Sequence, residues 1–274
     1  METADLFISA LAGLFAGVFG TMLGIGGGVI FVPLFLLVFN FSPQEAVGTS
    51  LFVVFFNALS GTISYLQQKR VDISAGWKFA VATLPGAVLG AWLSRYFTAA
   101  SLGLVFGLFM AAVAVFIFRQ GESPLKSIDS RAEGRTLVDS KGETFSYHPR
   151  ERLGVAFSFV VGIISSLLGI GGGIVHVPTL VYLLGFPVHI ATATSHFVLA
   201  ISAFFGSAAH ISFGNVQFWP GLAVAVFAIL GAQIGARISR RVKGHLIARL
   251  LAVVLVLVGV RLVLESLGCF LKFP

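Results

Sequence analysis

Two short stretches carry the residues most able to do chemistry. Gly24, Ile25, Gly26, Gly27 and Gly28 precede Val32-Pro33, and Gly169, Ile170, Gly171, Gly172 and Gly173 precede Val177-Pro178. Each lies inside an apolar run that otherwise reads as membrane helix. Unwound backbone at membrane depth is tolerated only where protein or a watery cavity receives its polar groups. Glycine permits left-handed turns there and the close approach of a ligand. After each break a new helix starts, and its free N–H groups carry partial positive charge that suits an anion. The expected chemistry is recognition of an anion by bare main-chain amides, with Pro33 and Pro178 as hinge residues. The competing role is helix packing or bending alone, which is what Gly86/Gly90 and Gly231/Gly235 are expected to do. A nucleotide loop is excluded, because no Lys-Ser/Thr follows and no strand precedes.

Other polar groups fall within the apolar runs, where such groups are candidates for function. Thr49-Ser50 and Thr194-Ser195 open the second and sixth segments. Their hydroxyls can donate to an oxyanion, or bond back to the preceding helical turn. Asn57 suits a ligand contact or a helix–helix hydrogen bond. His196 follows Ser195 where the first half has Leu51, and His176 stands opposite Phe31. Either imidazole can carry a proton, pair with an anion or join two helices; His196 is the stronger candidate. Gln233 replaces Val88 and offers an amide to substrate. His189 and His210 lie near segment ends and read as interfacial. Arg95 and Arg240 read as snorkelling side chains, with attraction of anions at a gate as the alternative. Glu45 and Asp72 fall at connections, and no embedded carboxylate is visible, so the coupling ion is left open between a proton and sodium. No catalytic set, metal site or cofactor is expected.

The elements that position these residues are helices in a membrane. Hydrophobic residues make up 57% of the chain and charged ones 11%, about half the charge of a soluble domain. Apolar runs of about 20 residues are long enough to cross a bilayer as helix, and they lack the alternation of a β-barrel. The net charge of +7 is assigned to basic loops that set orientation rather than to nucleic acid. Glu2 and Asp5 without a basic residue argue against a cleaved signal peptide. The lone Cys269 excludes an internal disulfide.

A constant offset pairs Gly24 with Gly169, Pro33 with Pro178, Thr49-Ser50 with Thr194-Ser195, Gly86 with Gly231 and Ser94-Arg95 with Ser239-Arg240, without a gap. The chain is read as a first transmembrane repeat (1–119), a polar linker (120–152) and a second repeat (153–274). Each repeat has a broken segment and three ordinary ones: Leu6–Phe39, Pro43–Gln68, Ser74–Phe97 and Ala99–Phe118, then Leu153–Leu184, Val188–Ser212, Phe218–Arg241 and Leu246–Leu267. If each broken segment enters and returns, Lys69-Arg70, the basic linker and the Arg237–Lys243 cluster share one face. The positive-inside rule favours that arrangement, and it makes the repeats inverted, with the N-terminus outside and the linker cytoplasmic. In the linker, residues 136–147 read as a small hairpin turning at Ser140-Lys141-Gly142, or as a disordered stretch.

The duplicated Gly-Ile-Gly-Gly-Gly with its Val-Pro, followed by Ala46-Val47-Gly48-Thr49-Ser50 and Ala191-Thr192-Ala193-Thr194-Ser195, resembles the sulfite exporter TauE/SafE family, the four-toluene-sulfonate uptake permease group. The likeness covers both halves and departs at Ala193, which stands opposite Gly48. It implies an inner-membrane secondary carrier of sulfur-containing anions such as sulfite, sulfoacetate or other sulfonates, working without ATP. The expected fold is all-α and polytopic, with two inverted repeats and alternating access. Expected partners are a small anion, a coupling ion, the lipid bilayer and a second copy in a homodimer. The alternatives are a membrane-embedded enzyme such as a lipid phosphatase, for which no acid/base cluster is visible, and a non-transporting assembly partner.

Overall fold

The computed structural model describes residues 3–97 and 134–243, with separate positions between 101 and 115 and between 246 and 264. The expected segments Ala99–Phe118 and Leu246–Leu267 therefore lie largely outside the described residues. Helix α1 runs Thr3–Met22, α2 Gly28–Leu37, α3 Pro43–Gln67 and α4 Ile73–Leu93, the last closing in a 3-10 turn at Ser94–Tyr96. An antiparallel hairpin follows, β1 Arg135–Val138 and β2 Thr144–Tyr147, with Arg135 opposite Tyr147. Then come α5 Glu151–Leu168, α6 Gly173–Pro178, a π-helical turn Thr179–Leu183, α7 Val188–Ser212 and α8 Phe218–Ser239. Among the described residues the protein is all-α apart from the hairpin, and α3, α5, α7 and α8 are long and apolar enough to cross a membrane.

Local sequence explains the boundaries. Ser42 and Glu45 form a reciprocal capping box at the start of α3, with Pro43 in its first turn. The Asp72 side chain accepts from the Ala75 amide and starts α4. Helices α1 and α5 stop at the two glycine breaks. Under the constant offset α3 and α7 coincide residue for residue, both with 25 residues. The elements after the breaks differ. Helix α2 continues past Pro33, whereas α6 ends at Pro178 and gives way to the π-helical turn, a form concentrated at functional sites.

The helices pack in crossed pairs, α1 on α8, α4 on α5, and α3 on α7 at the centre. Glycines bring the outer pairs to backbone contact. A Cβ on Gly86, Gly90, Gly231 or Gly235 would lie 2.2–2.5 Å from the carbonyl oxygen of Phe159, Ile163, Leu14 or Val18. These four positions do the packing that small residues do between membrane helices.

Contacts between connections fix the directions. The Gln217 side chain reaches Glu45, so the end of α7 lies beside the start of α3. Arg70 pairs with Asp139, and Tyr147 packs on Phe186, so the hairpin joins the end of α3 to the start of α7. Helices α3 and α7 are therefore antiparallel. Gly13 meets Val224, Gly17 meets Ala228 and Gly235 meets Val18, so α1 and α8 run in parallel. Helix α1 thus starts on the Glu45 side, and α2 returns there before α3 begins. The α5–α6 pair starts and ends on the hairpin side, where the Arg150 amide donates to Leu184 at 3.3 Å.

Candidate functional site

Each break is unwound through three left-handed glycines. Gly24, Gly26 and Gly27 have φ of 78°, 76° and 82°, and Gly169, Gly171 and Gly172 have 72°, 76° and 75°. All ten residues from Gly24 to Gly28 and from Gly169 to Gly173 are buried. Gly26 and Gly171 both lie against Val54 and Leu199, the midpoints of α3 and α7. The breaks also touch each other. A Cβ on Gly28 would lie 2.6 Å from Ile170 Cα, and one on Gly173 would lie 2.4 Å from the Gly24 carbonyl oxygen. Two unwound segments from opposite halves of the chain thus meet at mid-length of the central helices. Among the described residues the amides of Gly28, Val29, Gly173 and Ile174 have no backbone acceptor.

The two breaks are not equivalent. The Ile25 and Gly26 amides turn back to the Gly20 carbonyl at 2.8 and 2.9 Å. Among the described residues the matched Ile170 and Gly171 amides make no such bond. A Cβ on Gly20 would lie 2.2 Å from the Gly27 nitrogen, and its counterpart Ser165 keeps that side of the second break further apart. The second break is also the more polar. Ser158, Ser165 and His176 stand where the first half has Gly13, Gly20 and Phe31, and all three are buried. Ser158 donates to the Gly154 carbonyl at 2.6 Å, so its 3.5 Å contact with His176 Nε2 is donated by the imidazole. That leaves His176 Nδ1 as a buried lone pair without a partner.

The expected hydroxyl donors are engaged with main chain. Ser50 donates to the Gly169 carbonyl at 2.7 Å, and Ser195 to the Gly24 carbonyl at 3.1 Å. Thr49 accepts from the Gln217 amide and Thr194 from the Asp72 amide, each at 3.0 Å. In this conformation Ser50 and Ser195 hold the breaks, and Thr49 and Thr194 cap α8 and α4 across the halves. Gln233 also departs from expectation. Its Nε2 donates to the carbonyl and hydroxyl of Ser60, and its Oε1 accepts from Ser64, so the whole amide binds α8 to α3. His210, expected at the interface, is fully buried and donates from Nε2 to the Ser166 carbonyl at 3.1 Å.

Asn57 and His196 come together beside the first break. Asn57 Nδ2 donates to the Gly26 carbonyl at 3.1 Å, and its Oδ1 accepts from Thr21 Oγ1 at 3.4 Å. Thr21 has one hydroxyl hydrogen, so its 3.2 Å contact with His196 Nε2 is donated by the imidazole. The network places the proton on Nε2; Nδ1 is fully buried and makes no hydrogen bond, and the Gly24 carbonyl also interacts with the ring. Tyr65 closes the group, donating to the Thr21 carbonyl at 2.8 Å and packing edge-on against the His196 ring. Thr21 and Tyr65 are absent from the sequence-derived candidates. Their matched residues, Ser166 and His210, were the available signal, since a polar pair recurs at the same two places.

Ser195→Ala is expected to destabilise the protein by about 1 kcal/mol, the worth of one net hydrogen bond. Thermal unfolding of the purified protein in detergent measures it, and an unchanged transition would remove Ser195 from the frame that holds the first break.

The chain carries two buried glycine breaks, one in each half of an apolar helical sequence, and the sequence profile of a known family matches residues 9–262. The chain belongs to the sulfite exporter TauE/SafE family. Curated relatives within reach include a probable membrane transporter protein, YunE, of Bacillus subtilis, 35% identical over 95% of this chain and 98% of that protein. A second probable membrane transporter protein of the same organism, YjnA, is 26% identical over 82% of this chain and 86% of its own length. A third, from Haemophilus influenzae, is 29% identical over 65% of this chain and 62% of that protein. No solved structure matches the chain. Membership in the TauE/SafE family makes this a multi-pass membrane transporter, with a small anionic substrate implied by the family. The family and relative names point to a transporter rather than an enzyme.

Proposed function

We propose that this protein is a secondary transporter of small sulfur-containing anions, sulfite, sulfoacetate or another organosulfonate, working by alternating access of two inverted repeats. One observation carries the reading: the two glycine breaks meet at mid-length of α3 and α7, with the amides of Gly28, Val29, Gly173 and Ile174 uncommitted to main chain. A pair of discontinuous helices at mid-depth is the device by which secondary carriers hold anions between repeats. Two observations support a seat toward the second break: its amides are the less committed, and Ser165 and His176 border it. The antiparallel course of the matched helices α3 and α7 supports inversion of repeats 1–119 and 153–274 about the linker 120–152. Arg70 and the linker hairpin share a side, which supports a cytoplasmic linker and an outward N-terminus in the inner membrane.

The coupling ion is a proton, and His196 is its carrier. Its unpartnered Nδ1 is a base next to the first break, and its Nε2 is wired through Thr21 and Asn57 to the Gly26 carbonyl. Tyr65 is the titratable group that faces it from α3.

Purified protein in liposomes is expected to show saturable flux of radiolabelled sulfite or sulfoacetate and to discriminate against carboxylates. In a thermal-shift screen, an anion at a hundred times its dissociation constant stabilises the folded state by about 2.7 kcal/mol. Absence of flux for every sulfur anion, together with hydrolysis of a phosphate ester, would return the membrane-enzyme reading in its place.

A further inference from the structure

The linker hairpin is held by buried charge. Arg70 is 1% exposed and donates from Nε and Nη2 to Asp139 Oδ2 at 3.1 and 2.8 Å, with the Asp139 side chain fully buried. Asp139 Oδ1 accepts the Lys141 and Glu143 amides at 2.8 and 3.0 Å. Burial alone would push this carboxyl up, but those amides and the Arg70 guanidinium outweigh it and hold its pKa below the ordinary value. The Ser140 amide donates to the Gln68 carbonyl at 3.0 Å. At the other end of the hairpin, Asp72 accepts from Arg135 Nη1 at 2.7 Å and from the Tyr147 hydroxyl at 2.7 Å.

The seat bridges the two halves. Arg70 and Asp72 belong to the α3–α4 connection. Arg135 also pairs with Glu151 at the start of α5, and Tyr147 packs on Phe186 in the α6–α7 connection, ring centroids 5.0 Å apart. The seat also reaches the site. The Asp72 amide donates to Thr194 Oγ1, and the next residue, Ser195, holds the Gly24 carbonyl. On the opposite side Gln217, the match of Asp72, bonds to Thr49 and Glu45, and the linker occurs only once. Among the described residues, one face is therefore bolted by a hairpin that the other lacks.

We infer that the 135–147 hairpin is a clamp on the linker side, which leaves its seat and returns in each transport cycle. This rests on the alternating-access reading, since only relative movement of the halves obliges contacts that span them to break. Packed interfaces switch between discrete arrangements rather than stretch. Lifting the hairpin exposes Arg70, Asp72 and Asp139 to water together, so release strands no buried charge of the pair.

The test uses the full chain with Cys269→Ser, Lys69→Cys and Ser140→Cys. Lys69 and Ser140 are exposed and lie next to each other across the Ser140–Gln68 main-chain bond. A short reducible bis-thiosulfonate cross-linker joins them in proteoliposomes, and sulfite and sulfoacetate are the probe anions. Flux is expected to fall at least about tenfold on cross-linking, as for any transport step gated by a closed lid, and to recover on reduction of the same sample. Equal flux before and after reduction makes the hairpin a fixed strut and overturns the clamp.

A second arm needs no transported anion. Hydrogen exchange of residues 135–147 is expected to proceed through an opening independent of global unfolding, at least about tenfold faster in Asp139→Asn than in the parent protein. If these amides exchange only with global unfolding in both proteins, the clamp is overturned. If the reduced double-cysteine protein moves neither probe anion, the transport reading fails, while the exchange arm still decides whether the hairpin leaves its seat.

Discussion

Gly28→Ala is expected to abolish anion flux and to destabilise the protein by about 1–3 kcal/mol, the range for overpacking a tight core. Two effects compete at this position. Gly28 starts α2, where alanine is the better helix former by about 1 kcal/mol. Gly28 is also outside the group of glycines with positive φ, so alanine meets no backbone strain there. Against this, the added Cβ would lie 2.6 Å from Ile170 Cα and 2.7 Å from the Ile170 carbonyl carbon and oxygen. Those atoms are main chain of the opposite break and cannot swing aside. The contact must win, and the two breaks must separate. Gly214→Ala is the matched control. Gly214 has φ of 73° with nothing within 4 Å of its Cβ position, so alanine there costs about 1–2 kcal/mol of left-handed strain and leaves flux intact. Thermal unfolding and liposome flux measure both. Wild-type flux and stability in Gly28→Ala would mean that the two breaks need not touch.

His196→Leu is expected to lose accumulation driven by a pH gradient, by at least about tenfold, while exchange of labelled for unlabelled anion at equal pH persists. The substitution is mild in shape. In the first half Leu51 occupies the matched position, and it faces Gly206 as His196 faces Gly61. Removing the imidazole costs the Thr21 hydrogen bond, about 1 kcal/mol. It also removes a buried nitrogen that has no partner, and relief of that burial offsets the loss. Stability is therefore expected to stay within about 1 kcal/mol of the parent. A split between driven accumulation and exchange is something that a purely structural histidine would not produce. Undiminished pH-driven accumulation in His196→Leu would assign the coupling elsewhere.

The histidines show how the two halves came to differ. His176, His196 and His210 are all buried, all donate from Nε2 and all leave Nδ1 unpartnered. Their first-half matches are Phe31, Leu51 and Tyr65. The two halves share a similar frame, and the buried imidazoles all stand in the second of them.

By itself the sequence determined the membrane class, the paired glycine breaks and the bounds of α3 and α7. Those features answer to local rules: apolar length, a constant offset, and a backbone that only glycine can turn left-handed inside hydrocarbon. What each polar side chain does was decided by tertiary structure. Ser50 and Ser195 read as donors to an oxyanion or to their own helical turn, and their hydroxyls hold carbonyls of the opposite break. Gln233 read as a ligand contact and proved to join α8 to α3. Arg70 read only as a marker of sidedness, yet it is among the largest fully buried side chains, paired with Asp139 in a linker to which the sequence assigned no chemistry. A hydrogen-bond partner 69 or 119 residues away leaves no periodicity and no spacing. It exists only once the crossed helices have brought the two halves into contact.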